Sequence, residues 1–375
     1  MGSQNDIPVD GAGRAPGGPV RWLIAAWAVG LVVVYAMGGV LGVRQLQGYK
    51  SQTEAARQEH LQAVTADANA VASTAGSATR DSRVDVSAGI YVRRIGGFSL
   101  REAQWTADFD IWFGWSGEPL RPGETFEIVN GDIQRREKID SFVRNGMNYE
   151  RYRVTARMTK HFDPSRFPFA DEALTIEIQD VPSKAATIRY VADEEGSGLE
   201  EDALPQNVRL RRTMLIATAH RMGPGAGHSG GDGMVVSRLI HATLVEPRSV
   251  GVYWRVFRAL FAAVAVAMIV FFIRPAYVDA RFGLPVGAFF AAVANNVFVG
   301  TILPYSDRIT LADMVNLVGL VTLFLILVQS AASLCIQDRW GLDRSSRMFD
   351  RISFAVMLPC YVGLNLLLPW VATPS

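Results

Sequence analysis

Residues 152–178 read YRVTARMTKHFDPSRFPFADEALTIEI, and this stretch decides the fold through what lies on either side of it. Strand-like segments precede it, and four closely spaced apolar runs follow it. Its first half alternates apolar and polar side chains with the period of two that a half-buried β-strand requires. The sequence therefore predicts a β domain followed directly by a block of membrane helices.

The apolar residues, which make up 49% of the chain, are concentrated in long runs. A helix rises about 1.5 Å per residue, so about 20 apolar residues cross a hydrocarbon core of about 30 Å. Five runs are long enough: Trp22–Val43, Val252–Ile273, Phe282–Leu303, Leu311–Ile336 and Ile352–Val371. These runs predict a multi-pass membrane protein.

The net charge and the positions of the cysteines argue against a nucleic-acid partner and against a disulfide in the β domain. The formal net charge is +1, and no basic cluster with interleaved aromatic residues is present, so nucleic acid is not expected as a partner. The two cysteines, Cys335 and Cys360, lie inside or at the edge of apolar runs. The β domain is therefore expected to contain no disulfide.

The five runs divide the chain into segments. The first run is expected to remain as an anchor, because its apolar core is longer than that of a signal peptide and no clear cleavage site follows; a cleaved signal peptide is the alternative. The expected order is a cytoplasmic tail (1–21), an N-terminal transmembrane anchor (22–43), a helical or partly disordered stalk (44–83), a periplasmic β domain (84–250) and a four-helix transmembrane domain (251–373).

The orientation follows from the arginines in the short loops, which favour the cytoplasmic side. The loops around 274–281 and 339–351 are rich in arginine, whereas the 305–310 turn sets Asp307 beside Arg308. We therefore expect a bacterial inner-membrane protein whose N-terminus is cytoplasmic and whose β domain and C-terminus are periplasmic.

The polar region between the first and second apolar runs carries repeated strand signals. Residues 105–115 alternate apolar and polar side chains, as residues 152–158 do. Further strands are expected at Thr125–Val129, Leu174–Asp180, Thr187–Ala192, Val208–Ala219 and Met234–Glu246. Short strands separated by turn-rich breaks predict an antiparallel β-sandwich.

Several short motifs resemble the bacterial pentameric ligand-gated ion channels, relatives of the Cys-loop receptors. Residues 167–174, FPFADEAL, are similar to the family's pre-membrane loop, with Ala170 where the family has an acid and Asp171 one position later. Residues 115–120 and 126–131 resemble its W-x-D-x-R-L turn and the strand that follows. Residues 246–248 resemble its arginine-bearing junction, and Ile302-Leu303-Pro304 resembles the end of its pore helix. The resemblance spans about residues 84–371 and leaves the anchor and stalk uncovered.

The resemblance implies that residues 282–303 line a pore. The implied pore face has the four-and-three spacing of one helical face: Gly283, Gly287, Phe290, Ala294, Val297 and Thr301. An aromatic ring at Phe290 would gate such a pore by dewetting. The alternative is that the small residues form a helix-packing face. Asp279 and Arg281 are expected at the pore mouth.

The resemblance also implies roles for residues outside the pore. Coupling between the β domain and the pore is assigned to Phe167, Pro168, Phe169, Asp171, Arg248 and Pro304. Trp112, Asn130 and His220 are the candidate ligand-binding residues, with interface packing as the alternative for Trp112 and a solvated histidine for His220. The loop at 223–234, which would cap the agonist site, has no aromatic residue, so an amine ligand is not supported.

No metal, cofactor or catalytic site is expected. The acidic residues at 193–202 lack an EF-hand spacing, so a solvated loop is favoured over a calcium site. Residues 227–231, GHSGG, match G-x-S-x-G, but the strand–turn–helix context of a hydrolase is missing. We therefore expect a non-enzymatic, homopentameric ion channel gated by a small ligand or by protons. Its partners would be the lipid bilayer and inorganic ions. A non-conducting membrane receptor or assembly scaffold with the same architecture is the alternative.

Overall fold

The computed structural model describes residues 18–74, 83–117, 120–180, 188–205, 208–221, 235–247 and 249–373. The described residues form two compact units. One is rich in β-structure and includes most of residues 48–252 together with 301–307. The other is helical and includes residues 18–47, 253–300 and 308–373.

The β unit consists of two sheets. Its described strands are β1 (Val84–Ser99), β2 (Gln104–Ser116), β3 (Phe126–Ile128), β4 (Gly131–Arg144), β5 (Met147–Thr159), β6 (Glu172–Asp180), β7 (Ile188–Ala192), β8 (Gly198–Leu199), β9 (Val208–Arg221) and β10 (Val235–Pro247). A one-turn helix, α2 (Pro122–Thr125), precedes β3. The strands expected from alternation are all present.

The strand order departs in one respect from an antiparallel sandwich. The first sheet has the order β4-β5-β2-β1-β7 with β8 beside β1, and the second has the order β3-β6-β10-β9. β7 and β8 pair with β1 in parallel. β6 belongs to the second sheet, so the chain enters β7 from across the sandwich and not through a hairpin. The expectation of a purely antiparallel sandwich is wrong for these two pairs, because alternation predicts a strand but not its direction.

One core joins the two sheets. Trp105, Phe109 and Phe113 recur along β2 on its inward face and are almost completely buried. The ring of Phe113 lies 5.7 Å from that of Phe126 in the second sheet. Full burial of a large apolar side chain contributes about 1.5–3 kcal/mol. The alternation seen in the sequence therefore corresponds to burial between two sheets.

The long apolar helices lie wholly or for the most part in the helical unit. They are α1 (Gly18–Thr74), α3 (Ser249–Met268, continued by a 3-10 turn to Phe272), α4 (Val278–Ile302), α5 (Leu311–Trp340) and α6 (Asp343–Ala372). Within the described residues, five helices are long and apolar enough to span a membrane, as the sequence predicts. α6 begins at Asp343 and not at Ile352, because hydropathy marks only the apolar part of a helix whose first turns are charged.

Local signals explain where α5 begins and ends. The Thr310 hydroxyl accepts a hydrogen bond from the amide of Asp313, and the Asp313 carboxylate accepts one from the amide of Thr310. This capping box satisfies amides that have no partner inside the helix. At the other end Gly341 adopts a left-handed conformation with φ of 63°. A residue with a side chain is strained there, so glycine ends the helix.

α1 packs within the helical unit. The hydroxyl groups of Tyr35 and Thr322 share a hydrogen bond of 2.7 Å. A Cβ placed on Gly39 would lie 2.9 Å from Cδ2 of Leu364, so the glycine permits close approach of α1 to α6. α1 is one helix through Thr74, so the described part of the expected stalk is helical.

Candidate functional site

The helix α4 has two opposite faces. Every residue of the implied pore face is exposed: Gly283, Gly287, Phe290, Ala294, Val297 and Thr301. Six residues with the same spacing form the buried face: Arg281, Pro285, Ala288, Ala292, Asn295 and Val299. At about 100° per residue, the centres of the two sets lie about 160° apart around the helix. Other residues outside the buried face are exposed too, among them Val286, Phe289, Val293 and Phe298. Within the helical unit, α4 therefore packs through one stripe, and the pore face stays a prediction.

The exposed face of α4 is apolar along most of its length. A Cβ added at Gly283 or Gly287 would meet no atom within 4 Å, so open space lies beside this end. Phe290 is 69% exposed, and it is the largest side chain on the face. Asp279 is exposed four residues before Gly283 and continues the same face. Its carboxylate is the one charged group on that line of residues.

Arg281, the second residue expected at the pore mouth, is buried in the helical unit and not exposed as Asp279 is. Its side chain is completely buried, and its Nη2 donates to Oδ1 of Asp350 on α6 at 2.5 Å. Its Nη1 donates to the backbone carbonyl of Ile273 at 3.0 Å. These contacts give Arg281 a structural role inside the helical unit. Arg281 follows Asp279 by two residues along α4. At about 100° per residue, this spacing places the two side chains about 160° apart around the helix.

A second polar contact holds the buried face of α4. Nδ2 of Asn295 donates to Oδ1 of Asn316 on α5 at 3.1 Å, and Nδ2 of Asn316 donates to the carbonyl of Ala312. Both asparagines are buried. Inside an apolar bundle, such paired amides orient one helix against another, because each would otherwise be unsatisfied. The neighbouring Asn296 is exposed.

The predicted coupling loop lies between β5 and β6. Pro168 and Phe169 are buried, Phe167 is half-buried, and the Phe167–Pro168 peptide bond is cis. Asp171 accepts a hydrogen bond from Arg211 of β9 at 2.8 Å. The loop is therefore anchored to the second sheet through its acid.

The two remaining coupling candidates are Pro304 and Arg248. Pro304 is half-buried in the turn between α4 and α5. Arg248 lies outside the described residues, as does the loop at 223–234 that contains His228.

Glu172 follows the coupling loop and forms an ion pair with Lys160. Burial raises the pKa of Glu172, and the Lys160 ammonium opposes that rise.

Trp112, Asn130 and His220 each have separate surroundings. Nε1 of Trp112 donates to Oδ2 of Asp193 at 2.9 Å, and its ring covers Gly89. Asn130 donates to the carbonyl of Thr175 at 2.7 Å and accepts from the amide of Glu177, so it fastens the β3–β4 turn to β6. His220 is exposed near the end of β9. The structure thus gives Trp112 and Asn130 internal structural contacts.

An ion cluster on the outer face of the first sheet was not predicted. Asp110 is completely buried, and its carboxylate accepts from Arg151 at 2.5 Å and from Arg153 at 3.0 Å, with Arg93 at 3.5 Å. Burial acts to raise the pKa of Asp110, but the hydrogen bonds from Arg153 and Arg151 outweigh it, so the pKa is lowered. Alternation placed Asp110 on the polar face, but only the strand register shows which arginines surround it.

The described residues contain no group of three or more His, Cys, Asp or Glu side chains that could hold a metal ion. Comparison with known proteins adds no assignment, because no protein-family model and no curated protein matches this chain.

Proposed function

We propose that this chain is one subunit of a homopentameric ion channel, gated by a small ligand or by protons, in which α4 lines the pore. The observation that carries the proposal is the exposed face of α4, which lies opposite the face that packs in the helical unit. The family resemblance assigns the same residues to the pore. A ring of five such helices would place these faces around a common axis.

The composition of the exposed face supports a lumen better than a surface in contact with lipid alone. Gly283, Gly287 and Ala294 have little side-chain volume, and the space beside both glycines is open. Lipid contact provides no reason for small residues, whereas a lumen or a neighbouring helix does. Phe290 would then form the narrowest ring, where water is lost unless the ring moves.

The proposed orientation follows from the arginine-rich turns. Arg274, Arg347 and Arg351 are exposed at the α3–α4 and α5–α6 end of the helical unit. Short basic loops favour the cytoplasm. The β domain and the C-terminus would then be periplasmic, in a bacterial inner membrane. Reporter fusions test this directly, because an N-terminus and a C-terminus on the same side contradict it.

The test of the channel itself has two parts. Mass photometry of the purified full chain in detergent should give the mass of five subunits. The same preparation, reconstituted into planar bilayers and tested over a range of pH and calcium concentration, should carry single-channel currents. A stable monomer or dimer would contradict the family architecture, and a pentamer without current would contradict conduction alone.

A non-conducting receptor or scaffold is the second candidate. The observation in its favour is that the implied pore face of α4 has no polar side chain from Gly283 to Val297. An apolar constriction excludes water and ions while it stays narrow. If no substitution on any face of α4 yields current from a stable pentamer, this candidate replaces the channel.

A further inference from the structure

A cavity of about 460 Å³ lies where the α3–α4 turn meets the first turns of α6. Its polar wall contains Arg274 from the turn and Arg347 and Arg351 from α6. Arg347 and Arg351 are four residues apart, so they lie on one side of the helix. Among the residues that the structure describes, none of these three arginines has a carboxylate partner within salt-bridge distance.

Three neighbouring guanidinium groups without a counter-ion are unfavourable in isolation, since like charges at this helical spacing repel each other. The one carboxylate that lines the cavity is that of Asp350, and Arg281 already pairs with it. Four guanidinium groups and one carboxylate therefore leave a formal charge of +3 at this site. An anion that binds here would relieve the repulsion.

A buried polar network borders the cavity, and its hydrogen bonding is incomplete. Asp350 also accepts a hydrogen bond from Gln329 of α5, so three helices meet at its carboxylate. Nε of the completely buried Arg281 has no hydrogen-bond partner within the described structure. Buried polar atoms are normally paired. One N–H donor of the Arg281 guanidinium is therefore left without an acceptor beside the cavity.

The lining of the cavity also contains aromatic rings. Phe271 and Phe272 at the end of α3 and Phe354 of α6 line it. The ring of Phe354 lies 5.1 Å from that of Phe272 in an edge-to-face arrangement and 5.9 Å from that of Phe271. The cavity lining therefore combines guanidinium groups with phenyl rings, and its volume lies within the usual range for small-molecule sites of about 300–1,000 Å³.

We infer that this cavity binds a phosphate-bearing anion, with the phosphate on Arg274, Arg347 and Arg351 and an apolar chain against Phe272 and Phe354. Guanidinium groups match phosphate oxygens with paired N–H donors, which makes arginine well suited to phosphate recognition. The head group of an anionic phospholipid supplies both parts, while free phosphate supplies only the first. The inference goes beyond the channel proposal, because it requires the helices to meet a bilayer but no conducting pore.

The experiment measures binding through thermal stability of the full chain in neutral detergent. The added probes are dioctanoyl phosphatidylglycerol, dioctanoyl phosphatidylcholine and inorganic phosphate. Phosphatidylglycerol should raise the unfolding temperature to a plateau as its concentration increases. Phosphatidylcholine, which has no net charge, should leave the unfolding temperature unchanged. The double variant Arg347→Gln with Arg351→Gln should weaken the apparent affinity for phosphatidylglycerol by about tenfold or more, since each charge-assisted hydrogen bond is lost.

The matched control is Arg339→Gln with Arg344→Gln, which removes the same charge from the same basic segment outside the cavity. The control should retain wild-type affinity. Arg347 and Arg351 are exposed, so their replacement leaves the bundle intact. Their joint replacement by lysine keeps the charge but loses the planar donor pair, and it should give an intermediate affinity.

The outcomes separate the two sources of phosphate. If phosphatidylglycerol stabilises the chain and inorganic phosphate does not, and if Phe272→Ser weakens the lipid effect, the occupant is a lipid head group with its chain. If inorganic phosphate acts as strongly and Phe272→Ser has no effect, the site binds a soluble phosphate compound. Equal stabilisation by phosphatidylcholine, or an equal loss in the control pair, overturns the inference.

Discussion

Arg281 and Asp350 form a buried ion pair, with Nη2 of the arginine 2.5 Å from Oδ1 of the aspartate. The pair joins the beginning of α4 to the beginning of α6, and the same arginine holds the carbonyl of Ile273 at the end of α3. The helix that presents the exposed apolar face is therefore fixed at one end by a charge contact. Under the proposed function, this contact sets the rotation of the pore-lining helix.

Removal of one partner of this ion pair should be strongly destabilising. Arg281→Met leaves the Asp350 carboxylate buried without its charge partner, and we expect a loss of about 3–5 kcal/mol in the free energy of unfolding. The double variant Arg281→Met with Asp350→Leu should recover most of that loss, because no unpaired buried charge remains. Thermal and denaturant unfolding of both proteins in detergent measures this. Equal loss in the single and double variants would show that packing, and not charge, sets the cost.

Phe290 and Phe289 provide a matched test of the pore face. The two phenylalanines are adjacent in sequence but about 100° apart around α4, and only Phe290 lies on the implied pore face. Phe290→Ser should raise the basal single-channel conductance, or create it in a silent channel, because a hydroxyl ring lowers the cost of hydrating a narrow segment. Phe289→Ser should leave conductance unchanged. The opposite result would mean that the assigned face is rotated from the true one.

Gly39 and Gly38 test the packing of α1. A Cβ on Gly39 would lie 2.9 Å from Cδ2 of Leu364, whereas a Cβ on Gly38 would meet nothing within 4 Å. Gly39→Leu should therefore destabilise the helical unit by about 1–3 kcal/mol, and Gly38→Leu should have little effect. Leu364→Ala should partly restore Gly39→Leu by making room. The measurement is the unfolding temperature, in the same detergent, of Gly39→Leu, Gly38→Leu and the double variant Gly39→Leu with Leu364→Ala. A Gly38→Leu protein as unstable as Gly39→Leu would contradict this packing.

His241 predicts an acid dependence of stability. It is buried in β10, and burial lowers its pKa from the usual 6.5 to about 4, with a smaller opposing effect from the Gly198 backbone. The unfolded chain therefore binds a proton at this residue before the folded chain does. Stability should be lost as the pH falls from about 6.5 to about 4, by about 3 kcal/mol in total, and should level off below that.

Replacement of this histidine removes the dependence. His241→Gln cannot take up the proton, so its stability should vary less with pH over that range, whatever its stability at pH 7. His161→Gln, at an exposed histidine, is the control and should keep the wild-type slope. Denaturation midpoints across the pH range supply the comparison. A wild-type slope in His241→Gln would assign the acid sensitivity to other groups.

The sequence alone was sufficient for the elements whose signal is local. Strict alternation located β2 and β5, because a half-buried strand exposes every second side chain. Length and hydropathy located the apolar helices, since helix length in a membrane is set by bilayer thickness. The four-and-three spacing also grouped the implied pore residues on one side of α4, and that side is exposed. All these patterns repeat within one element and need no knowledge of its neighbours.

The tertiary structure decided everything that depends on which elements meet. In the sequence, Arg281 resembles an arginine of a short loop. Only the packing of α6 against α4 shows that Arg281 is buried and forms an ion pair with Asp350. Asp110 and its arginines come from different strands, so their contact depends on strand register. The parallel entry of β7 depends on the path between two sheets. Charge pairing, strand direction and helix contact are long-range properties, because their energies depend on distances that local periodicity does not specify.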